Sequence, residues 1–263
     1  MIIDTHCHVY PDKIAQKAAE ATGHFYGIPP RMDGTVEALK QASAQVGIDH
    51  SVINSVATTA HQVASINRYI AATVAESGGR MTGLGTLHPE SEDPEQDIRQ
   101  ILALGLKGIK LHPEIQGFCI DDPRILRFFE IAGEKLPFLL HLGDRRYDKS
   151  NPNRMKKVLE SFPHVRFIGA HFAGWSIWED ATYELKGYDN LVADSSSSLY
   201  AISPEKAVEL IHAFGAERIL FGTDYPLMSP VEEMERFDRL KLTAEEREKI
   251  LWRNAADYYN ISL

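Results

Sequence analysis

Cysteine is nearly absent from this 263-residue chain: Cys7 and Cys119 are the only two, and the first lies between two histidines. That excludes a disulfide framework and makes a reducing, cytoplasmic compartment the expectation. Basic charge is also short, with 28 Lys and Arg against 37 Asp and Glu and a net charge of −9, which argues against nucleic acid or an anionic membrane as a partner. No uncharged apolar run reaches membrane-spanning length, and no Lys/Arg-led apolar leader precedes Ile2-Ile3. A glycine-rich phosphate turn is missing too. The first apolar stretch runs into His8-Val9-Tyr10-Pro11, which counts against a doubly wound nucleotide-binding sheet.

What is present is a regular alternation. Apolar, β-type runs fall at residues 1–8, 50–57, 81–87, 106–111, 137–142, 165–170, 191–194 and 218–221. Helical periodicity fills residues 34–46, 61–76, 94–104, 122–135, 153–162, 177–185 and 204–214, and two more helices close the chain at 231–240 and 244–258. Residues 9–33 form an insertion after the first strand, with a helix at 12–21 that Gly23 and Pro29-Pro30 are expected to break. Eight strand and helix pairs in series predict an α/β fold, a (β/α)8 TIM barrel, as a single domain over residues 1–263.

In such a barrel the chemistry sits at the C-terminal ends of the strands. His6 and His8 share one face of the first strand, because side chains alternate with period two. Lys110, His112 and Glu114 close the fourth strand, His141 the fifth, His171 the sixth and Asp224 the eighth. Singly, each has a plain structural reading: His141 as a core histidine bonded to backbone, Asp224 as a turn or cap residue. Together, histidines and a carboxylate at the same end of separate strands point to a metal centre.

The His6-x-His8 pair, the histidines after strands five and six, and Gly222-Thr223-Asp224-Tyr225-Pro226 resemble the amidohydrolase superfamily of metal-dependent hydrolases. More narrowly, they are similar to its amidohydrolase 2 branch, which includes aminocarboxymuconate semialdehyde decarboxylase. The resemblance implies one divalent metal, zinc first with manganese, iron or cobalt as alternatives, held by His6, His8, His141 and Asp224. It also implies that His171 sits beside the metal and assists catalysis. A cation in that setting lowers the pKa of bound water, and Asp224 can take up the released proton. Whether His171 acts as general acid/base or as electrophile stays open. Lys110 matches a lysine that is carbamylated in two-metal members of the superfamily, and is read here as a substrate-facing or structural lysine.

Further candidates for substrate contact are Lys110, His112, Arg145 with its neighbour Arg146, Asp194 with the serines at 195–198, Trp175, and Arg31 in a lid-like segment with Phe25 and Tyr26. The expected partner is a small molecule, a carboxylate being one candidate, and a homodimer is an open alternative. The first functional reading is a hydrolase that turns metal-activated water on an amide, lactone or ester. The alternative is a non-oxidative metal-dependent decarboxylase, a carboxy-lyase acting on a conjugated or aromatic carboxylic acid; a hydratase is a third.

Overall fold

Helix starts in this chain follow one local recipe. Asp93, Asp122, Asn151 and Ser203 each cap a helix by accepting a backbone N–H, and each is followed by proline at the first helical position. The cap satisfies a donor that the helix cannot, and proline costs nothing where no N–H is needed. Between these helices lie short parallel strands. The computed structural model describes residues 1–261 and contains β1 (Ile3–His8), β2 (His50–Asn54), β3 (Met81–Gly83), β4 (Gly85–Thr86), β5 (Ile109–Leu111), β6 (Phe138–Leu140), β7 (Phe167–Gly169), β8 (Leu191–Asp194) and β9 (Ile219–Leu220).

The chain falls into two compact units. The first comprises Met1–Asn54, Thr73–Thr82 and the described part of Ser195–Leu263. Here β1 pairs in parallel with β2, His8 opposite Asn54, and the Thr5 amide donates to the Phe221 carbonyl just beyond β9. Leu39, Phe221, Phe237 and Ile250 belong to its buried core.

The second unit comprises Ser55–Ala72 and Gly83–Asp194. Its strands lie in the order β4-β5-β6-β7-β8, all parallel. β6 (Phe-Leu-Leu) and β7 (Phe-Ile-Gly) carry no polar side chain, as strands covered on both faces tend to. Phe129 meets Phe138 and Phe167 edge-on at 4.7 and 5.1 Å between ring centres, a favoured aromatic geometry. Among the described residues no helix is long and apolar enough to cross a membrane.

Several boundaries differ from the sequence reading. The helix after β1 runs over Asp12–Tyr26, straight through Gly23, and stops only at Gly27 in a left-handed cap with φ 69°. Gly23 is there for space: a Cβ would lie 2.6 Å from the Ile28 carbonyl and 2.7 Å from Pro30 Cδ. The third strand is interrupted at Leu84, and a short helix, Pro113–Gln116, follows β5 without having been anticipated. The last helix is not continuous either, since a π turn at Lys249–Arg253 divides it.

Candidate metal centre and its surroundings

In the first unit, three side chains converge. His6 Nε2 and His8 Nε2 lie 3.1 Å apart, and each is 3.5 Å from Asp224 Oδ1. Strand alternation brings the two imidazoles to one face, and a left-handed residue aims the carboxylate. Asp224 has φ 65° and its amide donates to the His6 carbonyl at 2.8 Å. The serine run after β8 orients the donors from behind. Ser196 Oγ is 3.0 Å from His6 Nδ1, and Ser197 Oγ donates to Asp224 Oδ2 at 2.6 Å.

Asp4 closes this arrangement. Its carboxylate accepts from the Thr223 amide at 3.0 Å, the Thr223 hydroxyl at 2.6 Å and the His6 amide at 3.1 Å. Burial nevertheless pushes its carboxyl up to about 6, with those bonds pulling the other way. Gly222 allows the close approach, since a Cβ there would stand 3.0 Å from His6 Cβ. The ligand atoms of His6, His8 and Asp224 all fall within 4.8 Å of one another. Two imidazoles and a carboxylate at that spacing are a donor set suited to zinc or manganese, so these residues fit a divalent cation.

The second unit gathers a different group. His171, Phe172 and Ala173 occupy consecutive left-handed conformations, φ 62°, 52° and 57°, each costing about 1–2 kcal/mol relative to ordinary backbone. Asp194, at the end of β8, holds that turn in place. Its Oδ1 accepts from the His171 amide at 3.0 Å and its carbonyl from the Phe172 amide at 2.7 Å. The turn presents His171 Nε2 at 3.1 Å from His141 Nδ1, while His141 Nε2 lies 3.1 Å from the Gly143 carbonyl. A carbonyl only accepts, so His141 carries its proton on Nε2 and its lone pair on Nδ1, towards which His171 Nε2 donates.

His112 stacks flat on His141, ring centres 4.1 Å apart and planes 8° from parallel. Its Nδ1 also caps the short helix that follows, accepting from the Ile115 amide at 3.3 Å. Glu114 Oε2 lies 3.6 Å from that Nδ1 and 3.9 Å from His141 Nε2. Burial pushes the Glu114 carboxyl up to about 7, although Ser150 donates to its Oε1 at 2.5 Å.

The remaining sequence candidates divide. Lys110 is fully buried within β5 and Trp175 is nearly so, its ring 6.4 Å from that of His141. Arg145 donates to the Ser176 carbonyl at 2.8 Å from an exposed position. Arg146 is held by side chains instead: the buried Asp144 carboxylate grips it through Nε at 2.9 Å and Nη2 at 2.7 Å, and it lies 5.6 Å over Trp175. Arg31 reaches Glu232 at 3.6 Å from a half-exposed position. Asp4 and the individual roles of Ser196 and Ser197 escaped the sequence reading. Four serines directly after a strand ending in Asp194 were the available signal.

The sequence pattern of a family described as amidohydrolase matches residues 3–261. The chain belongs to the amidohydrolase family. This amidohydrolase is 39% identical over 242 residues to 2-amino-3-carboxymuconate-6-semialdehyde decarboxylase of Dictyostelium discoideum. That match covers 74% of the chain and 66% of the relative, so the chain spans a little under two thirds of that relative's length. A TIM-barrel protein from Bordetella bronchiseptica superimposes with a TM-score of 0.80 at 20% identity, covering 98% of this chain and 97% of that one. A dihydroxybenzoic acid decarboxylase from Polaromonas sp. JS666, solved with manganese and the inhibitor 2-nitroresorcinol, gives 0.76 at 16% identity, covering 98% and 96%. The expected α/β TIM-barrel fold is thereby shown. Two of these three proteins are decarboxylases by name.

Proposed function

We propose that this protein is a non-oxidative, metal-dependent decarboxylase of a small conjugated or aromatic carboxylic acid. The observation that carries the reading is the convergence of His6 Nε2, His8 Nε2 and Asp224 Oδ1. His6, His8 and Asp224 are proposed as ligands of one divalent cation, with His141 as the fourth on the strength of the family pattern. When bound, such a cation acts as a Lewis acid towards an oxygen of the substrate.

Decarboxylation without an oxidant requires a proton to be placed on the carbon that loses carbon dioxide. His171 holds one at Nε2, on a turn fixed by Asp194, and is the proposed donor. As the proton reaches carbon, the bond to the carboxyl group breaks, and its electron pair returns to the conjugated system as carbon dioxide leaves. Trp175, with Arg146 over its face, supplies an aromatic surface and a cation suited to a flat, anionic substrate.

The test is a screen of the zinc- or manganese-loaded protein against conjugated and aromatic carboxylic acids, lactones and amides, following carbon dioxide and acid release separately. Carbon dioxide from a carboxylic acid is the expected result. Acid release from a lactone or amide with no carbon dioxide would return the hydrolase reading.

A further inference from the structure

Two buried asparagines in this chain are treated in opposite ways. Asn67 is fully buried and fully used: its Oδ1 accepts from the Thr86 amide at 2.8 Å and its Nδ2 donates to the Thr86 carbonyl at 3.1 Å. It does the work of a missing strand neighbour. Asn54 is equally buried, yet neither its Oδ1 nor its Nδ2 has a hydrogen-bond partner. Its backbone is provided for, since its carbonyl accepts from the Val9 amide at 3.0 Å. Only the side chain is left over. An amide buried without partners weakens a fold, and an apolar residue of similar size would serve the core better.

Its place explains why it is kept. Asn54 is the last residue of β2, and the parallel register sets it directly opposite His8. Paired residues of adjacent parallel strands send their side chains to the same face, and the His8 ring is on the face that meets His6 and Asp224. A histidine that binds a metal through one ring nitrogen directs the N–H of the other at an acceptor, which fixes the ring and raises its basicity. Ser196 stands at that position for His6. We propose that Asn54 is a positioning residue for His8, its Oδ1 accepting the His8 Nδ1 proton when a divalent cation is bound through Nε2. The role rests on the metal-centre reading above and is independent of which reaction the metal serves.

Zinc affinity by chelator competition, together with urea unfolding of the metal-stripped full chain, tests it in wild type, Asn54→Leu, Asn54→Ala, Asn54→Asp and, as a structural control, Asn67→Leu. Both Asn54→Leu and Asn54→Ala are expected to bind zinc about 10- to 100-fold more weakly while the metal-stripped protein stays at least as stable as wild type. Asn54→Asp keeps an acceptor oxygen and is expected to hold zinc within a few-fold of wild type. Asn67→Leu should do the reverse of Asn54→Leu, losing metal-free stability. Zinc affinity unchanged in Asn54→Leu and Asn54→Ala, or lowered only in step with metal-free stability, overturns the proposal; so does an Asn54→Asp that is as weak as Asn54→Leu. A wild-type chain that holds neither zinc nor manganese removes the metal centre itself, a separate result from a failure of Asn54 alone.

Discussion

Ser196 Oγ stands 3.0 Å from Nδ1 of His6, behind a ring whose Nε2 faces His8 and Asp224. With the His6 proton on Nδ1, the hydroxyl accepts it and the lone pair is left on Nε2 for a cation. Ser196→Ala removes the acceptor from a fully buried place. Zinc affinity is expected to fall about tenfold, near 1.4 kcal/mol, as for other partners of metal-bound histidines. Chelator competition reads this directly, and unaltered affinity would show that the backbone alone orients His6.

His171 offers a substitution that separates chemistry from folding. At φ 62° most side chains strain the backbone, but asparagine tolerates that region. His171→Asn should therefore keep its fold and its bound metal, with turnover reduced by about 10²- to 10⁴-fold, the usual worth of a general acid. His141→Ala should instead lose the metal. Elemental analysis beside the rate assay distinguishes the two, and stoichiometric metal in His141→Ala would remove His141 from the ligand set.

How far the sequence foretells all this depends on the range of the interaction. β8 and the helix Pro204–Phe214 match their expected bounds, because three apolar residues ending in an aspartate and a Ser-Pro start are local signals. His6 and His8 come together through alternation within one strand, equally local. Gly23 misleads because its role is set by Ile28 and Pro30 folding back on it, a close approach no periodicity reveals. Asp4 is hidden for the same reason: its partner Thr223 lies 219 positions away in the chain. The left-handed run at His171–Ala173 is likewise held by Asp194, so only the folded chain discloses it.

Gly222 is a test of crowding at the metal centre. An added Cβ would meet His6 Cβ at 3.0 Å and Ser196 Cβ at 3.3 Å, both on fully buried residues with little room to yield. Gly222→Ala should cost about 1–3 kcal/mol in stability, the range for overpacking a tight core. It should also weaken zinc binding by pushing His6 off its line. Unfolding by urea and zinc titration measure the two effects; wild-type values in both would mean that the loop at Gly222 shifts freely.

A buried carboxyl outside the proposed ligand set, Glu233, whose value Asp224 and Asp4 also help to raise, gives stability a pH dependence. Glu233 is fully buried, its Oε1 takes Arg236 Nη1 at 2.5 Å, and its Oε2 has no hydrogen-bond partner. Burial pushes its carboxyl from 4.5 up to about 7, with Arg236 only partly opposing the rise. The folded chain therefore binds this proton more tightly than the unfolded one. Stability from this group is greatest below about pH 4.5, declines as pH rises towards 7 and stays low above it. The shift from 4.5 to about 7 corresponds to roughly 3 kcal/mol. Asp4 and Glu114 also have raised values, so the difference between wild type and Glu233→Gln isolates Glu233. Glutamine keeps an acceptor for Arg236 and cannot ionise. In metal-stripped protein, Glu233→Gln should gain about 3 kcal/mol on wild type between pH 4.5 and pH 7.5 by urea unfolding. A gap that does not change with pH would place the Glu233 carboxyl at its ordinary value in the folded chain.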